Sequence, residues 1–132
     1  MMVIVDSDVW SEALRKHNSA SEATIRLKEL INDDKIVMIG PIRQEVLSGL
    51  KEDKRFNQIK ELLSAFPNQT INDSIYELAA SFFNLCRSKG IQGSHTDFLI
   101  CACAVSWDVE IFSKDRDFYH YSKYIPIHLH EI

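Results

Sequence analysis

Apolar residues along this chain fall in two rhythms that alternate from one end to the other. Short continuous runs at Met2–Val5, Lys35–Ile39, Glu110–Ser113 and Tyr124–His128 read as strands. Continuous rather than alternating hydrophobicity is what a parallel sheet needs when helices cover both of its faces. A weaker, shorter strand is expected at Thr70–Ile71. Between these runs, longer stretches place apolar residues every three or four positions, the spacing of one helix face. Val9–Lys16 is a short example, and Ser21–Asn32 carries Ala23, Ile25, Leu27, Leu30 and Ile31. Pro41 suits the first turn of a helix running to about Leu50, because its missing N–H has no partner there in any case. Asp53–Ala65 follows and ends before Pro67, and Asp73–Lys89 stops at Gly90. Thr96–Trp107 is almost wholly apolar or small, which predicts a helix buried on most sides. The order β-α-α-β-α-α-β-α-α-β-α-β predicts an α/β fold with a mostly parallel sheet.

Length and composition narrow this further. The 132 residues suit a single domain, 1–132, with one core. No apolar run approaches the ~20 residues that cross a bilayer. The first residues hold no basic segment followed by a long apolar one, so no secretion signal is expected. Three cysteines, Cys86, Cys101 and Cys103, cannot all pair within the chain. Two of them stand two positions apart on the apolar helix and point in different directions. Reduced thiols and a cytoplasmic location follow as expectations. The net charge of -4 does not favour a nucleic-acid partner. Where the acids sit matters more than their sum, because bound cations cancel a clustered set locally.

In a parallel sheet, functional groups gather beyond the carboxyl ends of the strands. Asp6 directly follows the first strand, and Asp115 and Asp117 follow the strand around Ile111-Phe112. Glu45 lies about one turn into the helix after the second strand. Asp97 opens the apolar helix, and it joins the others only if that helix starts at the same sheet edge. Carboxylates that converge repel one another unless a cation is present. All-oxygen donors suit Mg²⁺ or Mn²⁺, ions that activate water and support displacement at phosphorus. No Cys/His spacing fits zinc, and no Gly-rich loop fits a phosphate cradle.

Four stretches, Val3-Ile-Val-Asp6-Ser-Asp-Val-Trp10, Pro41-Ile-Arg-Gln-Glu45-Val-Leu-Ser-Gly49, Thr96-Asp97-Phe-Leu-Ile-Cys-Ala102 and Ser113-Lys-Asp115-Arg-Asp117-Phe118, resemble the PIN domain in the right order. More narrowly, they resemble the VapC toxins of toxin–antitoxin pairs. The resemblance implies a three-layer α/β/α fold with a central, mostly parallel sheet of about five strands. It implies a metal-dependent endoribonuclease, with Asp6, Glu45, Asp97 and Asp115 as metal-binding or catalytic residues and Asp117 as a fifth acid. Mg²⁺ is the implied ion, with Mn²⁺ as substitute. The implied partners are RNA, a small antitoxin protein and a second copy of the chain, with no membrane. Ser7 and Ser113 match polar positions beside the first and last acids. Cys101-Ala-Cys103 departs from the family, which more often has alanines there, and this bears on packing rather than chemistry.

Plainer readings stand beside these. Asp6 can cap the first helix. Asp8 is expected to point from that helix start into solvent. Glu45 borders the stripe of Ile42, Val46 and Gly49. Ser94-His-Thr-Asp97 has the form of a capping box with Asp in place of Glu. Lys51, Lys54 and Arg55 read as a solvated helix face, and His128 and His130 as a strand-edge pattern. Phe118, Tyr119, Tyr121 and Tyr124 suit either base stacking or packing. The alternatives in function are an inactive PIN-like binding module and a receiver-type signalling domain. The receiver design wants an acceptor Asp after the third strand and a Lys after the fifth, and here no Lys follows Ile125–His128. A phosphatase built on Asp6 and Asp8 lacks its later Lys and Thr.

Overall fold

The computed structural model describes residues 1–15 and 20–132. Its elements run β1 (Val3–Val5), α1 (Ser7–Ala13), α2 (Glu22–Asn32), β2 (Ile36–Val37), α3 (Gly40–Ser48), α4 (Asp53–Leu63), α5 (Asp73–Ser88), α6 (His95–Trp107), β3 (Glu110–Phe112), α7 (Asp117–Tyr121) and β4 (His128–Leu129). The strand order is β2-β1-β3-β4 and every pairing is parallel. The register sets Val3 beside Ile36 and Glu110, and Val5 beside Phe112. Val3, Ile4 and Val5 are all fully buried, so the central strand is covered on both faces. The expected α/β fold with a central parallel sheet is therefore present, with four strands among the described residues where about five were expected.

Local chemistry explains most helix starts. Ser21 caps α2 by accepting from Thr24 N–H at 3.1 Å, and Asn72 caps α5 by accepting from Ile75 N–H at 3.1 Å. Asp6 caps α1 and Ser94 caps α6, each accepting a backbone N–H that helix geometry leaves free. Pro41 falls in the first turn of α3. The expected end of the first helix at Lys16 lies outside the described residues. Beyond α5, Gly90 adopts φ 77°, the left-handed conformation that a glycine allows at a helix stop.

The structure differs from the expected elements at two places. Thr70–Ile71 is not a strand. The chain instead touches the sheet edge earlier, through a parallel bridge between Met38 and Asn68 and the Gln69 N–H to Met38 carbonyl bond of 2.9 Å. Arg43 fixes this segment, donating to Asn68 Oδ1 at 3.0 Å, to the Leu63 carbonyl at 3.0 Å and to the Phe66 carbonyl. It satisfies carbonyls that the end of α4 leaves free. The last strand forms at His128–Leu129 rather than Tyr124–His128. Pro126 has no N–H to give a ladder, so pairing begins only beyond it.

The core gathers around β1, with Trp10, Phe98, Phe118 and Tyr121 among its largest buried side chains. Cys86, Cys101 and Cys103 are unpaired and buried, as expected of small apolar fillers. Burial raises the Cys103 thiol to about 12 and pushes Cys101 up as well, which disfavours the thiolate form of both. Among the described residues, no helix is long and apolar enough to cross a membrane.

Candidate metal centre

Strand ends and helix starts bring the acids to one edge of the sheet. Asp6 leaves β1 in extended conformation (φ -68°, ψ 157°), which turns its side chain back over the start of α1. Its Oδ1 accepts the Ser7 N–H at 2.7 Å and its Oδ2 accepts the Ser113 hydroxyl at 2.7 Å. Capping and site membership thus coexist in this residue. Asp6 is only 8% exposed. Burial raises its carboxyl to about 6, against the pull of the Ser113 hydrogen bond, and the neighbouring charges of Asp8 and Asp97 push in the same upward direction.

Asp97 reaches this edge because α6 starts there and runs away from it, after which β3 returns toward it. The Asp97 N–H donates to Ser94 Oγ at 3.0 Å, which is the expected cap. Its carboxylate has a second engagement: Oδ2 accepts the Tyr121 hydroxyl at 2.7 Å. Burial raises the Asp97 carboxyl, the Tyr121 and Ser94 hydrogen bonds lower it, and the charges of Asp115 and Asp117 raise it.

Asp115 and Asp117 lie in the turn from β3 to α7. Asp115 Oδ1 accepts the Asp117 N–H at 2.9 Å, and Ser113 Oγ accepts the Asp115 N–H at 3.0 Å. Carboxylate oxygens of Asp97, Asp115 and Asp117 lie within 4.8 Å of one another. The expected convergence of the apolar helix with the last pair of acids is therefore real. Asp6 stands beside this trio, tied to the turn through Ser113. Glu45 is exposed on α3, whose Ile42 and Val46 are buried, and it accepts the Ser7 hydroxyl at 3.0 Å. It borders the site from the side of Ser7.

Asp8 departs from its expected place. It does not point freely into solvent: its Oδ2 accepts the Lys114 N–H at 3.1 Å and lies 3.4 Å from the Ser113 hydroxyl, while its Oδ1 is buried without a hydrogen-bond partner. Burial raises its carboxyl. Residue spacing alone has Asp8 pointing from the helix start into solvent. It missed that the β3–α7 turn folds over that start and needs an acceptor.

The remaining candidates resolve plainly. Arg55 donates to the Leu14 carbonyl, whereas Lys51 and Lys54 are exposed. His130 holds Glu110 at 2.9 Å and packs on Phe112, away from the acids. Phe118 and Tyr121 are core residues, whereas Tyr119 and Tyr124 are exposed.

Asp6 and Asp97, with carboxyls raised by burial, and the exposed Asp115 and Asp117 beside them form an all-oxygen set that a hard divalent cation would relieve. The residues present fit such an ion. Soft-metal chemistry finds no thiolate here, since all three cysteines are buried in the core.

Relatives carry the same architecture. Residues 3–124 match the PIN domain family. The chain is 29% identical over 121 residues to a VapC ribonuclease of Mycobacterium bovis and to ribonuclease VapC11 of Mycobacterium tuberculosis, with 89% of each chain covered. Among solved structures, FitAcB from Neisseria gonorrhoeae superposes with a TM-score of 0.80 at 18% identity, covering 98% of this chain and 97% of that one. VapBC2 from Rickettsia felis, bound to a DNA fragment from its promoter, superposes with a TM-score of 0.77 at 16% identity, covering 98% of both. These two likenesses establish the fold, and the match across residues 3–124 establishes that the chain belongs to the PIN-domain family.

Proposed function

We propose that this chain is a metal-dependent endoribonuclease, the toxin of a VapC-type toxin–antitoxin pair. The observation that carries the reading is the approach of the Asp97, Asp115 and Asp117 oxygens to within 4.8 Å at the carboxyl edge of a PIN sheet. The 29% identity to curated VapC ribonucleases supports the choice of RNA over other phosphodiesters.

In this reading Asp97, Asp115 and Asp117 hold Mg²⁺ or Mn²⁺, with Asp6 as a further ligand. An ion held there would supply charge stabilisation at the scissile phosphate and a water of lowered pKa. Asp6 is fixed from both sides by Ser7 and Ser113, so its lone pairs stay aimed at the site without reorganisation. Glu45, oriented by the Ser7 hydroxyl, receives the proton of the attacking water or helps to hold a second ion. Arg116 is exposed between Asp115 and Asp117, and in this reading its guanidinium meets a phosphate oxygen of the RNA.

The same reading gives the protein a small antitoxin as partner, a second copy as dimer mate, and a cytoplasmic setting that keeps its thiols reduced. Antitoxin-free protein, incubated with a mixed RNA pool, should cut in Mg²⁺ or Mn²⁺ and stop in EDTA, and Asp97→Asn should be inert while keeping its circular dichroism. Cutting by Asp97→Asn at the parent rate would refute the site.

A further inference from the structure

Tyr121 ends α7, the short helix that begins at Asp117. One helix thus carries an acid of the candidate site at its first residue and reaches another acid from its last. The ring is fully buried, packed against Phe98 at 4.8 Å and Phe118 at 5.3 Å between centroids. Packing on this scale leaves the phenol one position. From there its hydroxyl donates to Asp97 Oδ2 at 2.7 Å.

Gly93 is built around the same hydroxyl. A Cβ there would lie 2.3 Å from the Tyr121 hydroxyl oxygen, 2.8 Å from its Cζ and 2.9 Å from Phe98 Cε2. Gly90 is the glycine with positive φ, so what position 93 requires is space and not an unusual backbone angle. The chain before α6 therefore omits a side chain at the point where the phenol passes to Asp97.

We propose that Tyr121 is a positioning residue for the metal site, its buried hydroxyl fixing the Asp97 carboxylate in the orientation that binds a divalent cation. The inference rests on the metal-site reading of Asp97, Asp115 and Asp117. An ionised carboxylate has about four lone-pair positions on its two oxygens. The phenol occupies one on Oδ2, which stops rotation of the group and leaves the other oxygen for a cation. Partners of this kind, one step behind a ligand, commonly change metal affinity about 10- to 100-fold when removed.

The test is binding of Mn²⁺ alone, without RNA, followed through the paramagnetic resonance signal of the free aqueous ion. Parent protein is compared with Tyr121→Phe, which keeps the ring and loses the hydroxyl. Gly93→Ala keeps the hydroxyl and displaces it. Ile100→Val, a change at a fully buried position of α6, supplies a packing control. Expected are dissociation constants raised about 10-fold in Tyr121→Phe and Gly93→Ala, with Ile100→Val within about twofold of parent. Parent-like binding by Tyr121→Phe would overturn the positioning role while leaving the metal site intact. Equal weakening by Ile100→Val would overturn it too, because the effect would then belong to packing. Absence of Mn²⁺ binding by the parent would overturn both this role and the metal-site reading beneath it.

Discussion

The Ser113 hydroxyl donates to Asp6 Oδ2 at 2.7 Å and, through its lone pairs, accepts the Asp115 N–H at 3.0 Å. One small side chain therefore links the acid after β1 to the turn after β3, across 107 positions of sequence. Its single proton can serve only one acceptor well. The shorter contact shows that this acceptor is Asp6 rather than Asp8, which lies 3.4 Å away.

Removing that hydroxyl should uncouple two halves of the site. Ser113→Ala is expected to lower metal-dependent RNA cleavage about 10-fold, in the range typical of lost outer partners of metal ligands. Ser113→Thr retains a hydroxyl and should recover most of the rate. Cleavage of the mixed RNA pool at saturating Mg²⁺ provides the comparison. Alanine and parent proteins with equal rates would show that the link has no catalytic consequence.

The carboxyl of Asp6 gives the protein a pH-dependent stability. Its value in the fold, about 6, lies above its ordinary 3.8, chiefly through burial. The folded state therefore resists ionisation more than the unfolded state does. In metal-free protein this contribution is fully present below pH 3.8 and is lost as pH rises to about 6. At ~1.4 kcal/mol for each pH unit, the loss is on the order of 3 kcal/mol. In EDTA, Asp6→Asn should consequently melt above parent at pH 7, and the advantage should disappear near pH 4. Melting curves at both pH values decide the matter. A variant that melts below parent at pH 7 would mean that the Ser7 and Ser113 hydrogen bonds outweigh the cost of burying the charge.

Much of this arrangement is legible in the sequence, and the rest depends on non-local contacts. Asp6, Asp115 and Asp117 could be placed because each follows a strand, and strand ends share an edge. Ser94 and Gly90 could be placed because caps are local hydrogen-bond and backbone problems. Asp8 could not, because its partner is a backbone N–H of Lys114, 106 positions away. Tyr121 was ambiguous for the same reason: composition does not distinguish an aromatic residue that stacks on a base from one whose hydroxyl holds an acid 24 positions away. The weak strand at Thr70–Ile71 failed where Arg43, a residue of α3, ties down the chain ahead of it.

Arg43 gives a prediction about stability rather than chemistry. Its guanidinium donates to two backbone carbonyls and to Asn68. Arg43→Ala leaves acceptors near the end of α4 without partners, at a cost of about 2 kcal/mol. Arg43→Lys should recover little, since one ammonium cannot reproduce the planar fork. Urea unfolding with an unchanged slope and a lowered midpoint is expected for both. Mn²⁺ affinity should stay at the parent value, because Arg43 contributes nothing to the acidic site.

Divalent cations should stabilise the fold at neutral pH. The half-buried Asp97 and the exposed Asp115 and Asp117 bring their oxygens close enough to repel one another, and an ion bound there removes that repulsion. A concentration 100 times the dissociation constant adds about 2.7 kcal/mol. Melting temperature should therefore climb with Mn²⁺ at pH 7.5 and fall back on addition of EDTA. Asp97→Asn, which removes one charge from the trio, should show a much smaller rise. A rise in Asp97→Asn equal to that of parent would place the ion elsewhere.

Asp8 allows a distinction between charge and hydrogen bonding. Its Oδ2 holds the Lys114 N–H, which keeps the turn carrying Asp115 against the start of α1. Lys114 in turn reaches Glu12 with its ammonium at 3.1 Å, a partly exposed pair that adds little on its own. The backbone contact is therefore the stronger restraint on that turn. Asp8→Ala deletes the acceptor and should let Asp115 drift, lowering cleavage about 10-fold. Asp8→Asn keeps an acceptor oxygen for the Lys114 N–H and removes a charge that raises the Asp6 carboxyl. It should cleave close to the parent rate. If Asp8→Asn loses as much activity as Asp8→Ala, the charge of Asp8 is what matters and the residue belongs among the metal ligands. If neither variant loses activity, the turn is held well enough by Ser113 and Asp6 alone.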